Sequence, residues 1–219
     1  MFFSNALAAS EKNWYVSVYG AQASSEETYL IKILTTGAAE LVDSRLLAVA
    51  VGKELWRHKS NYFSLEAEGQ FVKHWGLENF SCSCRACGDP GWDWEEGYSH
   101  ETQNSGYHTH EEYNALLILR WLEFPWNRYL VTSFAFGDGL SYATKEPPIE
   151  MNQHNKNHGT ENETSKLLNY MLFELAFALP QYQQFNVVLR IHHRSGIFGL
   201  INGVSGGSNF IGAGVKYYF

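Results

Sequence analysis

The chain has 219 residues, enough for one domain, with a formal charge of −7 and only 18% charged side chains, below the roughly 25% usual in soluble proteins. The acidic balance argues against nucleic acid as a partner. No run of about 18 apolar residues is present, which excludes a transmembrane helix, whereas 16% aromatic residues and 19 glycines suit a chain that meets lipid with strands.

The chain opens Met-Phe-Phe-Ser-Asn-Ala-Leu-Ala-Ala-Ser. Ala6-Leu7-Ala8 has the small-x-small form of a signal-peptidase site, without a charged n-region or a full apolar h-region. Residues 1–9 are therefore expected to be the remnant of a signal peptide, and residues 10–219 one barrel domain. A short disordered tail is the competing reading of the same residues.

Eight segments with period-two hydropathy follow, at 14–23, 46–57, 63–75, 111–122, 129–139, 167–179, 186–195 and 208–219. Most have the 10 to 12 residues that a tilted strand needs to cross a bilayer. In the third, Phe63, Leu65, Ala67 and Phe71 share one face, and Ser64, Glu66, Glu68, Gln70 and His74 share the other. The fourth sets Tyr113, Ala115, Leu117, Leu119 and Trp121 against Glu112, Asn114 and Arg120. The sixth sets Met171, Phe173, Leu175 and Phe177 against Glu174. Polar faces carrying both charge signs suit a narrow interior filled by paired side chains. The connections alternate between long and short, with aromatics crowding the short ones (Trp56, Tyr62, Trp121, Phe124, Trp126, Tyr129 and Tyr182), as in an interfacial girdle. These patterns predict an all-β fold, an eight-stranded antiparallel transmembrane β-barrel with both termini on the short-turn side. Residues 145–163, rich in Pro, Asn, His and Glu, are expected to be polar external loop.

The seventh segment carries the candidate chemistry. Val187, Leu189 and Ile191 form its apolar face, and continuing that face reaches His193 and then Ser195. Val188, Arg190, His192 and Arg194 form the other face and suit the lumen. By the parity of Phe219, Asn209 points outward, so a hairpin between the last two strands sets it beside the His–Ser pair. A serine hydroxyl becomes a nucleophile once a base takes its proton; imidazole is suited to that, and a third polar group fixes the ring. The chemistry requires no metal or other cofactor.

Three further groups have two readings each. Asp138, in Phe-Gly-Asp-Gly-Leu-Ser-Tyr, either lines a substrate head group or makes a Gly-Asp-Gly turn. His192 is a packed lumen histidine unless a bulge exchanges it with His193. Cys82, Cys84 and Cys87, with His100, His108 and His110 downstream, either hold a zinc ion or contain one disulfide and a spare thiol, the simpler account for this spacing.

The ending Gly-Ala-Gly-Val-Lys-Tyr-Tyr-Phe resembles the C-terminal strand by which bacterial outer-membrane barrels are recognised by the barrel-assembly machinery. His193-Arg194-Ser195 on the penultimate strand, followed by Gly206-Gly207-Ser208-Asn209-Phe210, resembles the outer-membrane lipid A 3-O-deacylases, most closely over residues 167–219. The resemblance implies a bacterial outer-membrane esterase that removes an ester-linked acyl chain from lipid A of lipopolysaccharide. Ser195 would be the nucleophile, His193 the base and Asn209 the orienting group, where that family has an acid. Gly196 stands where the family has an Asn that helps hold the oxyanion, so backbone N–H groups near Gly196 or Gly199 are the expected oxyanion donors. The alternative is a non-catalytic barrel serving as an anchor or adhesin.

Overall fold

The structure, a computed structural model, describes residues 13–25, 28–77, 107–150, 164–204 and 206–219. Eight strands are present: β1 (Trp14–Ser24), β2 (Leu41–Arg57), β3 (Phe63–Leu77), β4 (Tyr107–Trp121), β5 (Val131–Ala143), β6 (Leu167–Ala178), β7 (Phe185–Ser195) and β8 (Gly207–Tyr218). Each pairs antiparallel with its neighbour, and β1 pairs with β8, closing the barrel. The Phe219 N–H donates to the Trp14 carbonyl at 2.9 Å, so the last residue helps to seal the seam between first and last strands. Among the described residues, closure pairs each strand on both sides.

All eight sequence-derived segments fall on observed strands. The main departure is at the long-loop end, where β2 begins at Leu41 and β4 at Tyr107, earlier than the apolar alternation suggested. Here β2, β3 and β4 stay paired, through rungs such as Ser44↔Gly76 and Leu77↔Tyr107. His108 and His110, expected in a loop, therefore lie in β4 with side chains buried. The cysteines and His100 fall outside the described residues, as does the N-terminal segment 1–9. A short helix α1 (Leu30–Thr36) sits in the β1–β2 connection, and a 3-10 turn (Pro148–Glu150) in the β5–β6 connection.

Side-chain parity separates the barrel into two chemistries. Val49, Val51, Leu117, Leu119, Val187 and Leu189 on the outside are 43–56% exposed. The inside is charged. Glu174 accepts from Arg190 at 2.5 Å, from Lys216 at 2.7 Å and from Arg120 at 2.9 Å. Arg120 also reaches Glu66 at 2.7 Å, and Arg190 reaches Glu68 at 3.0 Å. Three carboxylates thus face three cations, which is how a buried charge cluster avoids an uncompensated member. The bulky interior is accommodated by small neighbours: a Cβ at Gly52 would stand 2.1 Å from the Tyr15 ring, so glycine there is what admits the tyrosine.

Higher up, Glu150 reverses an expectation. Placed by its sequence in a polar external loop, it is instead 1% exposed. It takes Arg194 at 2.7 and 2.8 Å, Ser208 Oγ at 2.9 Å and Thr164 Oγ1 at 3.0 Å. The β5–β6 connection folds inward because Arg194, a lumen cation near the barrel mouth, needs a counter-charge more than the loop needs water.

An exposed apolar exterior around a charged, close-packed interior inverts the arrangement of a water-soluble barrel. Lipid is the solvent for such an exterior, and closed β-barrels of this kind are the architecture of bacterial outer-membrane proteins. Trp56, Tyr62, Trp126, Tyr129 and Tyr182 are exposed around the short-turn end. Two tryptophans there satisfy their N–H groups locally: Trp126 donates to Thr132 Oγ1 at 2.9 Å and Trp121 to the Glu123 carbonyl at 2.6 Å. An amphipathic ring at an interface requires that arrangement.

Candidate functional site

Strand β7 carries no bulge: its pairing with β6 and with β8 runs without a register shift from Val187 to Ser195. Its two faces therefore keep their parity to the end. Val188, Arg190, His192 and Arg194 are buried in the lumen, and His193 and Ser195 are half-buried on the outer face. His192 is the packed interior histidine.

His193 and Asn209 are directly opposite each other in the β7–β8 ladder. Their side chains meet, His193 Nδ1 to Asn209 Oδ1, at 2.7 Å. The amide nitrogen of Asn209 is committed elsewhere, donating to the Thr28 carbonyl at 3.1 Å. With that end occupied, the amide oxygen faces the imidazole and accepts from Nδ1–H, which leaves Nε2 with its lone pair. A loop residue next to α1 thus fixes an asparagine, and the asparagine fixes a histidine tautomer.

Ser195 lies two residues along the same face, opposite Asn169 on β6 and Gly207 on β8. No hydrogen bond joins its hydroxyl to His193. The imidazole is oriented by Asn209, and the serine hydroxyl is not engaged with it.

The two glycines expected to supply oxyanion donors are already in use. Gly196 N–H donates to the Gly206 carbonyl at 3.3 Å, and Gly199 N–H to the Val204 carbonyl at 2.9 Å. The β7–β8 loop is tightly wound, and its backbone consumes these groups. Two non-glycine residues just after Ser195, Ile197 and Phe198, have φ of 50° and 54°. Left-handed backbone at such bulky residues is strained and is held only by its surroundings. Phe198 and Leu200 project from this loop, 95% and 82% exposed.

Asp138 is not in a turn. It occupies the middle of β5 on the outer face, where it accepts from Asn169 Nδ2 at 2.9 Å. The second Asn169 N–H goes to the Gly139 carbonyl at 3.0 Å. Asn169 went unnoticed in the sequence, although its parity with Leu167 and Met171 marks it as a polar side chain on the lipid-facing row of β6. The register aligns Asp138, Met171, His193 and Asn209 across four strands, with Asn169 and Ser195 paired in the adjacent row. A polar patch thus interrupts the apolar exterior at its long-loop end. Charged and amide groups on that surface are costly unless interfacial or functional.

No protein-family model matches the chain, and no curated protein matches it in sequence. Solved structures similar to it include Neisserial surface protein A, at 10% identity over 94% of this chain and 97% of that one, with a TM-score of 0.47. The outer membrane enzyme PagL is 9% identical over 92% and 98%, with a TM-score of 0.48. The Yersinia pestis outer membrane protein Ail is 13% identical over 94% and 99%, with a TM-score of 0.36. These likenesses are of architecture and carry nothing about activity.

Proposed function

We propose that the barrel is an outer-membrane carboxylic-ester hydrolase that removes an ester-linked acyl chain from lipid A or a related acylated lipid. The observation that supports it best is the 2.7 Å contact from His193 Nδ1 to Asn209 Oδ1 on the lipid-facing surface. It leaves Nε2 as a base on the same face as Ser195. In the proposed mechanism Ser195 Oγ attacks the ester carbonyl carbon as its proton passes to His193 Nε2. The tetrahedral intermediate collapses, the C–O bond to the lipid breaks, and the imidazolium returns its proton to the leaving alkoxide. Water, deprotonated by the same nitrogen, then cleaves the acyl-enzyme and releases a fatty acid. Asn209 serves as a positioning residue. As an amide, it stabilises the imidazolium less than a carboxylate does. The exposed Phe198 and Leu200 offer an apolar rest for an acyl chain beside Ser195. The substrate reaches the site from the membrane, because the site faces it.

A second reading, a non-catalytic barrel acting as an anchor or adhesin, draws support from two facts. Ser195 makes no hydrogen bond to His193, and the Gly196 and Gly199 N–H groups are occupied. The experiment that separates the two uses the folded protein in lipopolysaccharide-containing membranes, with released 3-hydroxy fatty acid measured by mass spectrometry. Release by the wild type, abolished in Ser195→Ala and His193→Ala variants that still fold, is the expected outcome. An inactive wild type, or a Ser195→Ala variant with undiminished release, sinks the esterase reading in favour of the second.

A further inference from the structure

The long-loop half of the lumen holds a cluster of nitrogen and oxygen atoms that the proposed chemistry does not use. His74 on β3 and His110 on β4 are opposite each other in the ladder, and their rings stack at 4.4 Å between centroids, 7° from parallel. Both are 2% exposed. Glu112, two residues along β4 and fully buried, takes His74 Nε2 at 2.8 Å. One ligand atom each from His74, His110 and Glu112 fall within 4.8 Å of one another. Without an ion the His74–Glu112 bond holds the His74 Nε2 proton; an ion shared by the two residues would take that proton's place at Nε2, and Nδ1 would then carry the ring's N–H. Among the described residues neither His74 Nδ1 nor His110 Nε2 has a hydrogen-bond partner. Buried polar atoms in a native interior are rarely left so.

His192 on β7 adds a fourth nitrogen. Its Nδ1 is 3.0 Å from the Tyr19 hydroxyl, and Tyr19 donates its own proton to Gln70 Oε1 at 3.1 Å. His192 Nε2 lies 3.0 Å from Glu112 Oε1; with a metal ion at Nε2, the ring's remaining Nδ1–H would donate to the Tyr19 hydroxyl. At that distance a cation stands between nitrogen and carboxylate, either the ring's own proton or a metal ion. Arg194 is no candidate for that cation. Although 4.0 Å from Glu112, it is already clamped by both oxygens of Glu150.

We infer that this half of the lumen binds a divalent transition metal of the imidazole-favouring class, with zinc the natural occupant, through His74, His110 and Glu112. His192 is positioned as a fourth ligand. Two or three imidazoles and a carboxylate form a borderline-soft nitrogen and oxygen set that suits zinc and not calcium or magnesium. The Tyr19–His192 bond supplies the outer hydrogen bond that fixes a ligating histidine. The ion would join β3, β4 and β7 across the interior and brace the barrel end below the patch around Ser195. The proposal does not depend on the esterase reading.

The test uses the full chain, folded in detergent micelles, with Cys82, Cys84 and Cys87 replaced by serine so that no thiol holds metal. After treatment with chelator and dialysis against zinc, elemental analysis is expected to find about one zinc per barrel, and melting to shift upward with free zinc. Cobalt substitution should give visible d–d bands without thiolate charge transfer. His110→Ala and Glu112→Gln variants should lose the uptake; the former removes no hydrogen bond in this cluster. Blank-level zinc in the wild-type lumen would overturn the proposal and leave a proton alone between His192 and Glu112. Undiminished uptake by both variants would overturn it equally, placing the metal elsewhere.

Discussion

At the residue scale, the chain's unusual feature is a histidine oriented by an amide on a surface that faces lipid. His193, Asn209 and the Thr28 carbonyl form a relay in which each donor has one acceptor, so the ring has one tautomer and a narrow range of rotation. If Asn209 acts only by holding that ring, removing it should affect turnover more than binding. For Asn209→Ala, kcat is expected to fall about 10²-fold, the low end of the roughly 10²–10⁴ that a positioned base contributes, while KM changes little. Steady-state kinetics on a lipid ester, with labelling of Ser195 by a serine-directed phosphonate, separates this from mere destabilisation. A variant with reduced folding yield but normal kcat per folded barrel would show Asn209 to be structural.

At the element scale, the β7–β8 connection decides where Ser195 sits. Its first residue is Gly196, where a Cβ would meet the Val204 carbonyl oxygen at 2.0 Å and Val204 Cβ at 2.7 Å. Backbone at that distance has nowhere to go, so any side chain forces the loop open. Gly196→Ala is expected to leave the barrel closed, as read by the heat-dependent mobility shift of a folded barrel on gels, while hydrolysis drops sharply. Unchanged hydrolysis would mean that the loop's winding is irrelevant to the serine. The β2, β3 and β4 strands show a second effect at this scale. Their alternation in hydropathy stops near residues 46 and 111 because the outward positions beyond, Asp43, Arg45, Thr109 and Glu111, are polar like the inward ones. The ladder continues regardless, since backbone pairing needs no apolar face once a neighbour is in place. That is why the apolar pattern alone starts β2 and β4 too late in the chain and leaves His108 and His110 in a loop.

At the scale of the whole molecule, the outside is matched to lipid and the inside to charge pairing. Placing a cation on the belt should cost stability according to depth. Leu189→Arg, mid-strand on β7, is expected to lower the free energy of folding into vesicles by about 2–4 kcal/mol. Phe198→Arg, at the exposed loop tip, should cost far less. Equilibrium unfolding from lipid vesicles measures both, and equal effects would contradict a lipid-facing exterior for β7. The same geometry explains the filled lumen: Glu66, Glu68 and Glu174 against Arg120, Arg190 and Lys216 close the interior electrostatically.

Strand number, facing and the outward direction of His193, Ser195 and Asn209 were all legible in the chain itself. A period of two converts composition directly into inside and outside, and a hairpin puts chain neighbours in contact. Asn169 beside Ser195, Asp138 held within a strand, Glu150 drawn into the mouth and His74 stacked on His110 were settled only by tertiary structure. Each depends on the register between strands, or on a loop finding a buried partner, and neither leaves a periodic trace along the sequence.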